Sequence, residues 1–315
     1  MQADDVRLLE LIREVLKRSP FHTEGTKKVY RRLRAWFDVR ASRGRVNRLM
    51  REAGLLSPQR IEADRSQKPH EGTIIPENID LLWGTDGTQF GMGNGRLLWL
   101  FAVIDHFSCE VLGWHIIEVG QGDAWAALEP VKQALRKRRG ALKEKSGAGI
   151  SIRHDWGPQY VAGDFRKDLD FLGLGNSPGF VHEPETNGVI ERFFRTMKEE
   201  CLWVHDFTDA EHARQVVGQW IATYNSEWLI ERHGYRAPWT VRMELEKGGG
   251  KYFYHLVASR SKFGETERGH VRPQAAADGL RFVFSADVMQ AGTVRRMPIF
   301  RGPARLPEYL KDSGL

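Results

Sequence analysis

Apolar residues recur at helical spacing from the start of the chain. Val6, Leu9, Ile12, Val15 and Leu16 share one stripe, which predicts an amphipathic helix over 3–18. Ser19 and Pro20 interrupt that period. It resumes over 26–37 with Val29, Leu33 and Trp36 inward, and again after a short link at 38–41. There Ser42 has the character of an N-cap, Val46, Leu49 and Met50 form the apolar face, and Gly54 is the stop. Beyond a polar, proline-bearing stretch over 55–78, strand-like segments crowd together at 79–90, 96–104 and 110–117. The first two are joined through a glycine-rich turn at 91–95, whose Asn94-Gly95 is a hairpin signal. A helix over 123–139, an apolar strand at 150–152, a helix over 163–172 and a longer helix over 186–202 follow.

Three antiparallel strands, a helix, a strand and then helices predict a ribonuclease-H-like α/β fold, a mixed sheet with flanking helices. Ahead of it, two short helices joined by a tight turn predict a small all-α, helix-turn-helix-like domain. The expected division is a helical DNA-binding domain at 1–60, a linker at 61–78, a catalytic core at 79–245 and a basic C-terminal extension at 246–315.

Charge sharpens this division. Residues 1–60 hold 15 Lys and Arg against 7 Asp and Glu, a net +8. Residues 61–250 carry −7, and residues 251–315 carry +5. A basic arm beside an acidic body suggests a polyanion-binding module attached to a carboxylate-bearing one. On the third predicted helix, Arg43, Arg45, Asn47, Arg48 and Arg51 are candidate DNA contacts. Arg136–Arg139 reads instead as a solvated helix end. No apolar run approaches the roughly 18 residues of a membrane span, and the first residues lack the apolar region of a signal peptide, so a cytoplasmic protein is expected. The two cysteines, Cys109 and Cys201, are far apart, which excludes a disulfide framework and a cysteine-rich zinc site. The 91–95 turn is not a phosphate-binding loop, because no Gly-Lys-Ser/Thr follows it.

Three acids stand out. Asp86 lies in the first strand, Asp155 closes the apolar strand at 150–154, and Glu191 is on the long helix. A carboxylate at the end of an apolar strand is costly unless paired or bound to a cation. A set of hard carboxylate oxygens favours Mg2+ or Mn2+ over zinc. Glu191, Arg195 and Lys198 are spaced i, i+4 and i+7 and so share a helix face, with Phe194 and Met197 free to pack inward. At a 1.5 Å rise per residue, Glu191 and Lys198 are about 10 Å apart along the axis, which suits a metal ligand at one end and a DNA phosphate at the other. Asp105, Glu118, Asp164, Asp168 and Asp170 read as loop, strand-end or helix-surface acids outside the site.

The words around these acids resemble a known family. Thirty-five residues separate Asp155 from Glu191, the D-D-35-E pattern of integrase-core transposases. Trp83, Thr85, Asp86 and Thr88 resemble that family's first-aspartate strand. Val103, Ile104, Asp105, His106, Phe107 and Ser108, then Val111, Leu112, Gly113 and Trp114, resemble its next two strands. His154, Asp155, Gly157, Gln159 and Tyr160 resemble its second-aspartate block, and Asn187, Gly188, Glu191, Arg192, Phe193, Phe194 and Lys198 its glutamate block. Tyr224, Asn225, His233, Gly234, Tyr235, Ala237 and Pro238 resemble the tail of the core. The chain looks similar to the second-reading-frame proteins of the IS-three and IS-one-fifty insertion sequences, whose helical block before the core resembles 28–55. The resemblance spans about residues 22–245. The sequence departs from it at His154 and Pro158, where the family has serine, and at 248–315, which has no counterpart.

The resemblance implies a bacterial DNA transposase that cleaves element ends and transfers strands with two Mg2+ or Mn2+ ions. Asp86 would bridge both ions, with Asp155 on one and Glu191 on the other, while Lys198 and Arg195 contact DNA. It also implies DNA ends and target as partners, a homo-oligomer on DNA, an upstream-frame helix-turn-helix protein as a further partner, and association with the nucleoid when bound. Two other readings stay open: a decayed or domesticated DNA-binding protein without activity, and a hydrolytic nuclease of the same fold. A retroviral-type integrase is disfavoured, because no His-His-Cys-Cys module precedes the core.

Overall fold

The computed structural model describes residues 3–57, 75–120, 123–155, 157–178 and 187–247, and short strands within 272–298. It divides into two compact units, Met1–Phe253 and Tyr254–Leu315. The expected linker falls mostly on 58–74, outside the described residues, as does most of the C-terminal extension. What is described of the latter is two antiparallel pairs, β6 (Arg272–Gln274) with β7 (Arg281–Val283) and β8 (Ser285–Gln290) with β9 (Thr293–Pro298).

The N-terminal helices are α1 (Ala3–Arg18), α2 (Thr26–Phe37) and α3 (Arg43–Glu52). Their core is Leu8, Leu9, Ile12, Val15, Val29, Leu33, Val46, Leu49 and Met50. Val6, which the periodicity placed on the stripe, is exposed, and Leu8 takes the inward place. Ser42 caps α3 as expected, its side chain accepting from the Arg45 N–H at 3.2 Å. Gly54 stands just past the helix with φ 66°, a conformation that costs glycine little.

The main sheet contains β1 (Leu82–Gly91), β2 (Leu97–Asp105), β3 (Val111–Glu118), β4 (Ser151–His154) and β5 (Gly175–Pro178) in the order β3-β2-β1-β4-β5. The pairs β1–β2 and β2–β3 are antiparallel, whereas β4 joins β1 in parallel and β5 joins β4 in parallel. This is the mixed sheet of the ribonuclease-H-like fold. Along β2 successive side chains point to opposite faces. Leu98, Leu100, Ala102 and Ile104 meet α7 (Gly188–Met197) and α8 (Ala210–Glu227). Phe101 and Val103 meet α4 (Asp123–Arg139), α5 (Pro158–Val161) and α6 (Gly163–Leu172) on the other face. Burial from both sides is why this strand reads as a continuous apolar run.

A last helix, α9 (Pro238–Glu246), brings the buried Arg242 guanidinium to Asp80 at 2.9 Å, to Asp105 at 3.7 Å and to Glu110. Asp105 is therefore a fully buried structural acid. The basic end of α4 is also largely committed within the fold: Arg136 pairs with Glu129, Lys137 with Glu110, and Arg138 with Asp80. Among the described residues no helix is long and apolar enough to cross a membrane.

Candidate active site

Each expected acid is delivered by a different element. Asp86 is in the middle of β1, opposite Ala102. The parallel register Leu82↔Ser151, Trp83↔Ile152, Gly84↔Arg153, carried two residues further, puts Asp155 beside it at the carboxyl end of β4. Glu191 is in the first turn of α7. That turn is tied to β1, because the buried Asn187 side chain donates to the Thr85 carbonyl at 3.2 Å. The approach needs a glycine on the strand: a Cβ on Gly84 would lie 2.8 Å from Asn187 Oδ1 and 2.5 Å from His106 Nε2. Asn187 was legible only as part of a motif, and its tether to β1 emerges from the fold.

Asp86 senses the other two acids. Burial pushes the Asp86 carboxyl up to about 7, and the charges of Asp155 and Glu191 add to that rise. The Gly87 N–H bond and the Lys198 charge oppose it. Asp86 Oδ1 accepts the Gly87 N–H at 2.7 Å, and Asp155 Oδ1 accepts the Gly157 N–H at 2.9 Å. Asp155 and Glu191 are exposed, while Asp86 is largely covered. Among the described residues no three His, Cys, Asp or Glu side chains converge closely enough to hold a metal ion. All three acids are carboxylates, the donor class that hard divalent cations take.

Around the acids, His154 is buried, with Nδ1 2.5 Å from the Asp155 carbonyl and Nε2 2.8 Å from Asn176 Oδ1, and its ring stacks on Tyr160. Burial, and then the Asp86 charge, push the Tyr160 hydroxyl well above its usual range. The predicted 186–202 helix changes type at its end: α7 stops at Met197, and Lys198–Leu202 forms a π-helical turn. Phe194 and Met197 are buried as expected, and Lys198 is half-buried. Arg195 pairs with Glu199 at 3.3 Å.

On α3 the candidate contacts divide. Arg45 and Arg48 reach Asp5 on α1 at 2.6 and 2.8 Å, and Asn47 Oδ1 accepts from the Thr26 hydroxyl at 3.1 Å. Arg43 and Arg51 are exposed.

Residues 3–61 match an HTH-like domain and residues 174–238 an integrase core domain. The second span contains Glu191, Lys198 and Arg195, while Asp86 and Asp155 precede it. The chain thus joins an HTH-like domain to an integrase core, and its homologues are insertion-element proteins. One is an uncharacterised protein of insertion element IS136 from Agrobacterium fabrum, 29% identical over 167 residues, covering 52% of this chain and 83% of that one. Another is transposase InsD of insertion element IS2 from Escherichia coli, 26% identical over 239 residues, covering 75% and 78%. Among solved structures, the catalytic core domain of BIV integrase aligns with 54% of this chain and 97% of its own, at 21% identity and a TM-score of 0.38.

Proposed function

We propose that this protein is a DNA transposase in which Asp86, Asp155 and Glu191 hold two Mg2+ or Mn2+ ions during cleavage of element ends and strand transfer. The observation that carries this reading is the placement of the acids: the β1–β4 register sets Asp155 beside Asp86, and the Asn187 bond to the Thr85 carbonyl ties the first turn of α7, with Glu191, to the same strand. When bound, such ions lower the pKa of the attacking oxygen and stabilise the leaving one. Asp86, Asp155 and Glu191 would together supply the carboxylate oxygens that hold such ions. Lys198, whose charge already reaches Asp86, would hold a DNA phosphate next to the scissile bond.

The reaction is two phosphoryl transfers. Water attacks a phosphodiester at the element end and frees a 3′-hydroxyl. That hydroxyl then attacks a target phosphodiester, forming one bond and releasing one target 3′-hydroxyl. Arg43 and Arg51 on α3 would meet the DNA backbone, with Arg45, Asn47 and Arg48 shaping the helix that presents them. Holding two ends together calls for more than one copy on DNA, and an upstream-frame helix-turn-helix protein is a further expected partner. The setting is the bacterial cytoplasm, at the nucleoid.

The test is labelled element-end DNA incubated with the protein and Mg2+. Cleaved ends and joined strands are expected together. Cleavage without joining would assign a nuclease, and binding without either product would assign a non-catalytic DNA-binding protein.

A further inference from the structure

Glu200 lies in the π-helical turn directly after α7 and is 2% exposed. Its two oxygens accept from the loop between α1 and α2: the His22 N–H at 2.7 Å, the Thr23 N–H at 2.8 Å, and the Thr23 hydroxyl. No ion pair among the described residues involves it. A buried carboxylate satisfied by backbone N–H donors is a strong and directional attachment. Without those donors its desolvation would be left uncompensated.

The same loop is secured on both sides of these bonds. Phe21, 1% exposed, belongs to the apolar core of the main sheet rather than to that of its own helices. Its ring meets Trp228 edge-on at 4.8 Å and Trp220 at 6.4 Å. Lys28 sits over the Trp228 ring at 2.7 Å, and Arg32 reaches the Glu227 carbonyl at 3.4 Å. Lys27 pairs with Glu231 at 2.5 Å. Apolar, cation–π and charged contacts therefore converge on one seam. Within this seam Glu200 stands nine residues after Glu191 and two after Lys198. Single π-turns within helices are found frequently at functional sites.

We infer that Glu200 is a positioning residue: it fastens the helix carrying Glu191 and Lys198 to the α1–α2 loop, so that DNA engaged by α3 steadies the catalytic helix. The functional half of this statement rests on the transposase reading; the attachment itself does not.

The test is hydrogen–deuterium exchange on the full chain, for the parent, Glu200→Gln and Thr23→Val, with and without duplex DNA carrying an element end. In Glu200→Gln the His22 and Thr23 amides are expected to exchange about tenfold faster, the equivalent of losing one hydrogen bond to a charged acceptor. Thr23→Val, which removes one donor and buries no new charge, gives a smaller effect in the same segment and covers the case in which Glu200→Gln fails to fold. Duplex slows exchange across 188–202 in the parent and not in Glu200→Gln, although both bind the duplex equally. End cleavage in Glu200→Gln falls about tenfold. Unchanged His22 and Thr23 exchange in both variants, or equal slowing over 188–202 in parent and variants, overturns the inference. A parent that binds no duplex counts against the transposase reading, and the attachment is then judged on His22 and Thr23 alone.

Discussion

Asp86→Asn isolates the strain in the acidic cluster. The carboxyl titrates near 3.8 in an unfolded chain and near 7 in the folded one, chiefly through burial and then through Asp155 and Glu191. Between those values the folded state holds a proton that the unfolded state has lost, so stability falls as pH rises through the window. Above 7 both states are ionised and the penalty is fully expressed. At about 1.4 kcal/mol per pH unit, the difference between 3.8 and about 7 is at most about 4 kcal/mol. Asparagine keeps the oxygen that accepts from Gly87 and removes the titration. Thermal unfolding in a chelator should therefore show the variant and parent close together at pH 4 and the variant several degrees more stable at pH 8. Mn2+ should close the gap, because the parent gains by mass action and the variant lacks a ligand. A parent and variant with parallel stability profiles across this range would refute the coupling.

Lys198→Ala should slow strand joining about tenfold to hundredfold, the cost of one charged contact, with melting temperature nearly unchanged and partial rescue by Lys198→Arg; full activity in the alanine variant would return that helix face to solvent. Arg43→Glu with Arg51→Glu should weaken duplex binding and flatten its dependence on salt, read by titration at several ionic strengths. This double variant tests the arm more cleanly than deletion of 1–60, which would also strip Phe21 from the core against Trp220 and Trp228. Gly113→Ala should destabilise the core by about 1–3 kcal/mol in chemical unfolding, since a Cβ there meets the Pro130 carbonyl of α4; a neutral result would mean that the helix can shift.

Elements with strong periodicity were legible to within a residue or two. The helices at 26–37, 123–139 and 163–172 fall where the pattern put them, and Ser42 caps α3. The motif words also acquire physical reasons: Gly84 makes room for Asn187, and Gly113 for the Pro130 carbonyl. What escaped was set by distant partners. The edge strand β5, Gly-Asn-Ser-Pro, carries no apolar alternation, because its place depends on pairing with β4. Val6 lies on the predicted stripe, but the helix faces inward through Leu8. Glu200 follows Lys198 and Glu199 and belongs to none of the motifs read in the sequence. Only the fold brings His22 and Thr23 to it from 178 and 177 residues away. The pairing of Arg45 and Arg48, candidate DNA contacts, with Asp5 on α1 likewise comes only from the fold.

The central claim is that Asp86, Asp155 and Glu191 act as one metal-dependent site on DNA. Single-turnover cleavage and joining of labelled element-end DNA by Asp155→Asn, beside the parent, tests it most directly. Asparagine preserves the shape and the acceptor for the Gly157 N–H but loses the charge that a hard cation requires. Loss of both products at unchanged DNA affinity is the predicted result. Cleavage at about a tenth of the parental rate or faster would contradict the assignment.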